Sequence, residues 1–447
     1  GVQTCALPIC SMRFLEEKFV PIAAKIGQEK HLVAIRDSFM TTMPLTILGA
    51  LAVLVNNIGG VFSDTGLDIP AIANGWDSFI TSTGIKTVCT NINNGTVNTL
   101  AVLIVVCVAY NLSKIKEANP LPAGVTAIAI YFALAPRTEG IQAAQLDAKG
   151  LFVAMIVGLL VGELFPLFAK NEKLRISMPE GVPPAVSSAF NTMIPAMLTA
   201  TIWIAVGTAI ETVAHANIWD LITQFVSAPL SNVADTLATT MIENLFVTVL
   251  WVFGIHGASI AGSITQPILY PLLQANTASF AANEEPAYTV VYLFRNVWGQ
   301  TGGSGATLGL VIAILLFSKL QSERTIAKLG IACGIFEINE PITFGIPIVM
   351  NPVYAIPFII GPVLCVTLSY FLTEMGLIGH IVLEIPWVTP PILNAFLATG
   401  GNFPAAIWSA VEIVLLTVLW TPFVIMSGRV SAKEAEEIGR ASCRERV

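Results

Sequence analysis

This 447-residue chain is short of charge: Asp, Glu, Lys and Arg make up 11% of it. A soluble chain carries about 25%, so there is too little charge here to cover a water-facing surface. That shortage excludes an ordinary cytosolic enzyme, a disordered segment and a nucleic-acid binder. The formal net charge of −7 points to no polyanionic partner. No CxxC or Cys/His spacing joins the seven cysteines, which argues against a disulfide framework and a zinc site. Cys89, Cys107, Cys333 and Cys365 lie in apolar runs and read as small buried hydrophobes. GKS and GKT are missing, and with them any phosphate-binding P-loop. No signal-peptide core lies near Met12, and neither metal nor cofactor is expected.

Apolar sequence is there instead. Hydrophobic residues make up 55% of the chain, and the mean hydropathy is +0.76. One span needs about 20 apolar residues. The length therefore predicts an all-α, polytopic helical membrane protein with about ten transmembrane helices, two re-entrant hairpins and interfacial amphipathic helices. The ends, GVQTCALPICS and GRASCRERV, have no apolar periodicity, and residues 1–11 and much of 431–447 are expected to be non-native tails.

From Arg13 to Lys30, charged residues alternate with Phe14, Leu15, Phe19, Ile22 and Ile26, which predicts a helix lying on the membrane surface among lipid headgroups. Apolar runs follow at 39–62, 95–113, 121–136, 151–169 and 187–213. Basic loops at Lys114–Lys116 and Lys170–Arg175 contrast with 61–78, which holds Asp64, Asp68 and Asp77 but no Lys or Arg. The positive-inside rule puts the N-terminus and both basic loops in the cytoplasm.

Residues 12–215 read as a regular scaffold, 216–235 as an interfacial linker and 236–430 as the half that handles substrate. Apolar stretches in that half lie at 240–256, 260–275, 288–298, 305–317, 329–349, 353–373, 377–398 and 404–427, and several are short and broken by Gly, Pro and Asn. Such breaks are tolerated at membrane depth only where backbone is buried in protein or lines a wet cavity, and in transporters they mark the binding site.

Four stretches place polar chemistry where lipid forbids it. In WVFGIHGAS (251–259), His256 ends an apolar run; it is either a neutral imidazole satisfied in a helix interface or a functional group. In NVWGQTGGSGATLG (296–309), Gly302, Gly303 and Gly305 allow close backbone approach to a ligand, with Arg295 and Asn296 beside them. Close helix packing is the plainer role for such glycines.

FEINEPITFGIPIVMNP (336–352) packs Glu337, Asn339, Glu340 and Asn351 among Pro341, Pro347 and Pro352. The prolines predict a hairpin that exposes Glu340; the alternative is Glu340 capping the broken backbone. In EIPWVTPPILNAFLATGG (384–401), Trp387 precedes a PP break and either stacks on a sugar ring or sits in an interfacial belt. Aromatic, carboxylate, imidazole and amide groups together suit a neutral, hydroxyl-rich ligand.

From Met12 to Arg429 the chain resembles the enzyme IIC permeases of bacterial phosphoenolpyruvate-dependent sugar phosphotransferase systems, in the lactose/cellobiose/diacetylchitobiose branch. The resemblance rests on IHG (255–257), GGSGATLG (302–309), NEPITFGIPIVMNP (339–352) and PWVTPPI (386–392). LNAFLATGGNF (393–403) departs from the family pattern and bears on sugar preference.

The resemblance implies a homodimer in a bacterial plasma membrane, both termini cytoplasmic, moving substrate in elevator fashion. It implies a disaccharide substrate and a separate phosphorylated IIB subunit, supplied in turn by IIA, HPr and enzyme I. His256 and Glu340 would sit near the sugar hydroxyl that is phosphorylated, and Trp387 would stack on the sugar. Asn339, Asn351, Gly302, Gly303, Asn296 and Arg295 complete the expected binding set. Which of His256 and Glu340 is the base is open at this point. A proton-coupled sugar symporter is the rival reading, since it would also place those two groups at mid-membrane.

Overall fold

The computed structural model describes residue 25 and residues 28–444, apart from 63–68, 137–139, 177, 180, 347 and 350. The expected surface helix at 13–30 lies almost wholly outside the described residues, as do the tail 1–11, Asp64, Asp68 and Pro347. Among the described residues the regular secondary structure is all helix. In chain order the helices begin α1 Lys30–Val61, α2 Pro70–Ser82, α3 Ile85–Gly95, α4 Leu100–Ile115, α5 Pro120–Ala133 and α6 Leu151–Ala169. Next come α7 Pro184–Ala214, α8 Ile218–Ile222, α9 Ala228–Ala234, α10 Leu237–Val252, α11 Gly257–Ala281 and α12 Phe294–Trp298. The series ends with α13 Thr307–Phe317, α14 Gln321–Ile335, α15 Glu340–Gly345, α16 Pro352–Glu374, α17 Pro391–Ala398 and α18 Phe403–Arg444.

Among the described residues, six helical segments are long and apolar enough to cross a membrane: Lys30–Gly60, Ile85–Ile115, Ala148–Ala169, Val186–Ala214, Val353–Glu374 and Phe403–Gly428. A seventh is added if Ile218–Ala234 and Leu237–Val252, bent by 70°, count together. This is a multi-pass helical membrane protein. The apolar runs at 121–136 and 305–317 form the shorter helices α5 and α13, below the roughly 20 residues a span needs. The apolar stretch 377–398 is helical only from Pro391, because Gly376, Gly379, Pro386 and Pro390 interrupt it.

Contacts gather the chain into two units. One holds the described residues up to Asp235 together with Gly262–Tyr288; the other holds Thr236–Ala261 and the residues from Thr289 onward.

In the first unit, α1 starts at Glu29, whose carboxylate accepts the His31 and Leu32 amides at 2.9 and 3.1 Å. Burial works against that carboxylate. The His31 ring and the two amides outweigh it and hold Glu29 below the ordinary carboxylate range. Nearby, Glu163 of α6 meets His31 Nε2 at 2.7 Å, Lys30 Nζ at 3.7 Å and the Lys116 ammonium. Lys30 and Lys116, which the charge bias puts on one membrane face, thus converge on one carboxylate.

Helices α4 and α6 pack through the GLLVG sequence of 158–162. A Cβ on Gly158 would lie 2.8 Å from Val108 Cβ, and one on Gly162 would lie 2.7 Å from Leu112 Cβ. Gly162→Ala is accordingly expected to cost about 1–3 kcal/mol by overpacking; a detergent melting curve identical to that of the unaltered protein would contradict it. The segment Gly262–Tyr288 belongs with this unit because Tyr270 stacks on Phe39 at 4.5 Å and its hydroxyl donates to Thr46 Oγ1 at 3.1 Å.

The linker expected at 216–235 is two short helices joined by a π-helical turn, Thr223–Ser227. Trp219 is buried against Tyr131 with ring centres 5.0 Å apart, while Phe225 is exposed.

The second unit has a core of Trp251, Leu310, Ile342, Tyr354, Phe358, Leu416 and Trp420. Its main helix pair is α13 against α18. Buried Glu323 fastens α14 to α16 by accepting the Tyr354 hydroxyl at 2.8 Å, and it also accepts Ser318 Oγ at 2.6 Å.

Candidate functional site

His256 and Glu340 are 84 residues apart in sequence, and breaks in two helical segments bring them together in the second unit. Helix α10 ends at Val252. The chain then reverses at Gly254, whose φ of +76° is open to glycine at little cost, and the Ile255 amide closes the turn on the Leu250 carbonyl. His256 immediately precedes α11, and its Nδ1 accepts the Ser259 backbone N–H at 3.2 Å, which is helix capping by an imidazole. Ser259 Oγ lies 2.8 Å from the same nitrogen. The Trp251 ring, with its centre 4.9 Å away, packs against the imidazole.

Glu340 is the first residue of α15. Pro341 follows it, at a position where the missing amide proton costs nothing. Its Oε1 is 3.9 Å from His256 Nε2, and side chains of both residues are about half exposed, 51% and 46%. A gap of 3.9 Å is too wide for a direct hydrogen bond but admits one oxygen in contact with both groups. An imidazole and a carboxylate facing each other across an open gap can therefore grip and polarise one hydroxyl.

The glycine loop is a support for this site. Gly302, Gly303, Gly305 and Ala306 all have positive φ, between +55° and +94°. The turn points the Gly302 and Gly303 N–H groups at Glu337 Oε2, at 2.7 and 2.9 Å. The Asn339 amide donates to the Ser304 carbonyl at 2.5 Å. Three residues before Glu340, a buried carboxylate thus ties the Glu340 segment to the loop. Glu337→Ala, which strands two buried N–H groups at about 1–3 kcal/mol each, is expected to lower the melting temperature sharply. Glu337→Gln keeps an acceptor and should melt closer to the unaltered protein; equal melting of all three would sink this account.

The other expected residues are more dispersed. Arg295 is buried on α12 and pairs with Glu243 of α10 at 3.2 Å. Asn296, beside it, keeps its Oδ1 buried with no hydrogen-bond partner among the described residues. Asn351 caps α16 by accepting the Val353 and Tyr354 amides at 3.0 and 3.4 Å. Trp387 stands half exposed in a turn that the Thr389 amide closes on the Pro386 carbonyl at 3.0 Å.

Sequence reasoning missed Ser259, although HGAS is a helix-start pattern with a side-chain donor three residues after the imidazole. It also left Glu337 unplaced. The pairing of a buried carboxylate with successive glycine amides leaves no local signal, since the partners are 34 and 35 residues apart.

The family model described as Phosphotransferase system, EIIC, matches residues 36–362. The lichenan permease IIC component of Bacillus subtilis (strain 168) is 32% identical over 442 residues, covering 95% of each chain. The cellobiose-specific EIIC component of Lactococcus lactis subsp. lactis (strain IL1403) is 30% identical, over 95% of this chain and 99% of that one. Among solved structures, the transporter ChbC is similar, with a TM-score of 0.85 and 31% identity, over 95% of this chain and 99% of its own. ChbC is the IIC component from the N,N'-diacetylchitobiose-specific phosphotransferase system.

Proposed function

The chain belongs to the phosphotransferase system EIIC family, and on that footing we propose that it is a permease importing a β-linked disaccharide of the cellobiose or chitobiose class and presenting it for phosphorylation. The observation that carries this reading is the His256–Glu340 pair, half exposed and 3.9 Å apart at the starts of α11 and α15. Relatives named for lichenan, cellobiose and N,N'-diacetylchitobiose support the substrate class.

One sugar hydroxyl, taken as the 6-hydroxyl, lies between the two side chains. A separate phosphorylated IIB subunit, fed by IIA, HPr and enzyme I, brings phosphocysteine to the cytoplasmic mouth, and the hydroxyl oxygen attacks phosphorus in line. Positioning and charge stabilisation carry most of such a transfer. Trp387 stacks on a sugar face. The phosphorylated product is an anion that cannot recross an apolar wall, so trapping drives uptake without an ion gradient. The scaffold half forms a homodimer in the bacterial plasma membrane with both termini cytoplasmic, and the rear half moves the sugar across in elevator fashion.

Vesicles containing the purified chain are expected to accumulate cellobiose 6-phosphate only when phosphorylated IIB is present on the cytoplasmic side. Concentrative uptake of unmodified sugar driven by a pH gradient, with no phosphoryl donor, would overturn the proposal in favour of proton symport.

A further inference from the structure

We infer that Ser259 is a positioning residue that holds His256 in the tautomer carrying its proton on Nε2. The backbone amide of Ser259 can only donate, and it points at His256 Nδ1 from 3.2 Å. That nitrogen must therefore present its lone pair, and in a neutral imidazole the proton then sits on Nε2. Ser259 Oγ, 2.8 Å from Nδ1, adds a second donor to the same lone pair. The Trp251 ring holds the imidazole plane from one side, at 4.9 Å. Both donors belong to one residue on the first turn of α11, so the helix itself fixes the direction in which His256 Nε2 points.

What Nε2 points at is Glu340 Oε1, 3.9 Å away. An oxygen about 2.8 Å from each can occupy that gap. With the proton on Nε2, a hydroxyl there accepts from His256 and donates to the Glu340 carboxylate. With the proton on Nδ1, two acceptors would face a hydroxyl that has one proton to give, and one contact would be lost. The tautomer thus separates roles that the sequence left open: His256 orients the hydroxyl and Glu340 takes its proton.

The inference deepens the permease reading and rests on it for its chemical consequence. As the hydroxyl proton passes to Glu340, the sugar oxygen forms the new O–P bond. The S–P bond to the partner's phosphocysteine breaks, with its electron pair leaving on sulfur as thiolate. Glu340 then releases the proton to water.

The chain contains four histidines, so selective 15N-histidine labelling of the full-length protein in detergent resolves each ring, and His256→Gln identifies the resonances of His256. The expected spectrum shows Nε2 protonated and Nδ1 bare. Ser259→Ala removes the hydroxyl donor and keeps the backbone N–H, so the ring should stay protonated on Nε2 but be held less firmly, and kcat for sugar phosphorylation should fall on the order of 10-fold, with cellobiose affinity held within about twofold. Ser259→Thr, which keeps the hydroxyl, should restore the rate. A wild-type ring protonated on Nδ1, or a Ser259→Ala variant with unchanged kcat, would overturn the inference. The spectrum reads the tautomer without substrate or donor. A protein with the expected spectrum and no phosphoryl transfer therefore refutes the permease reading while leaving the Ser259–His256 geometry standing.

Discussion

Glu340→Gln is expected to lower sugar phosphorylation by about 10²–10⁴-fold, the usual worth of a positioned acid or base, while cellobiose affinity changes by less than about tenfold. The asymmetry follows from the geometry. Glutamine has nearly the same shape, so the half-exposed side chain at the start of α15 can still accept a hydrogen bond from the sugar hydroxyl. It cannot take up the proton as the O–P bond forms, so the loss falls on the chemical step. In the proposed site His256 orients the hydroxyl, so His256→Ala should also cost more in kcat than in binding. Equilibrium binding of radiolabelled cellobiose, run beside phosphoryl transfer from phosphorylated IIB, separates the two quantities. Phosphorylation at the unaltered rate in Glu340→Gln would remove this carboxylate from the reaction, and an equal fall in affinity and rate would make it a binding residue only.

The second large effect is expected at Gly305. Its φ is +84°, and a Cβ built there would overlap the ring of Phe358, which is fully buried. An L-residue in that conformation costs about 1–2 kcal/mol, and overpacking a tight core adds about 1–3 kcal/mol. Gly305→Ala should therefore destabilise the second unit by about 2–5 kcal/mol, enough to consume much of the stability of an ordinary domain. Most of the purified variant should aggregate or melt well below the unaltered protein. Adding Phe358→Leu relieves the overlap but not the backbone strain, so the double variant should recover part of the loss. That pair is close enough for its energies to be strongly non-additive. Full-strength melting of Gly305→Ala by itself would show that the loop is slack, and with it the argument that Glu337 and the glycine turn hold the Glu340 segment in place.

Much of the architecture was legible beforehand because hydropathy is a local, additive property. Runs such as 151–169 and 404–427 are apolar enough to identify as membrane helices without knowing what they touch, and they are the helices α6 and α18. Proline was an equally local signal: Pro341 and Pro352 sit in the first turns of α15 and α16 and divide the 336–352 stretch where the sequence predicts a break. The run at 377–398 was harder to read, since apolar content by itself does not distinguish a helix from an apolar loop interrupted by Gly and Pro.

Polar groups were visible as anomalies, but not their partners. Glu337, Glu340 and His256 each stood out because lipid penalises a lone charge, whichever neighbour relieves it. Glu337 and Glu340 are three residues apart with the same chemistry, yet one is buried on two glycine amides and the other faces an imidazole across an open gap. The positive φ of Glu337, +64°, turns the chain between them, and no composition or spacing rule reports it.

From the order of residues by themselves followed the solvent this protein lives in, the approximate position of its long helices and the handful of side chains too polar for that solvent. Only the folded chain decided which of those side chains meet and at what distance. Insertion into lipid depends on sums over some twenty neighbours along the chain, whereas hydrogen bonds depend on ångström distances between residues brought together from far apart.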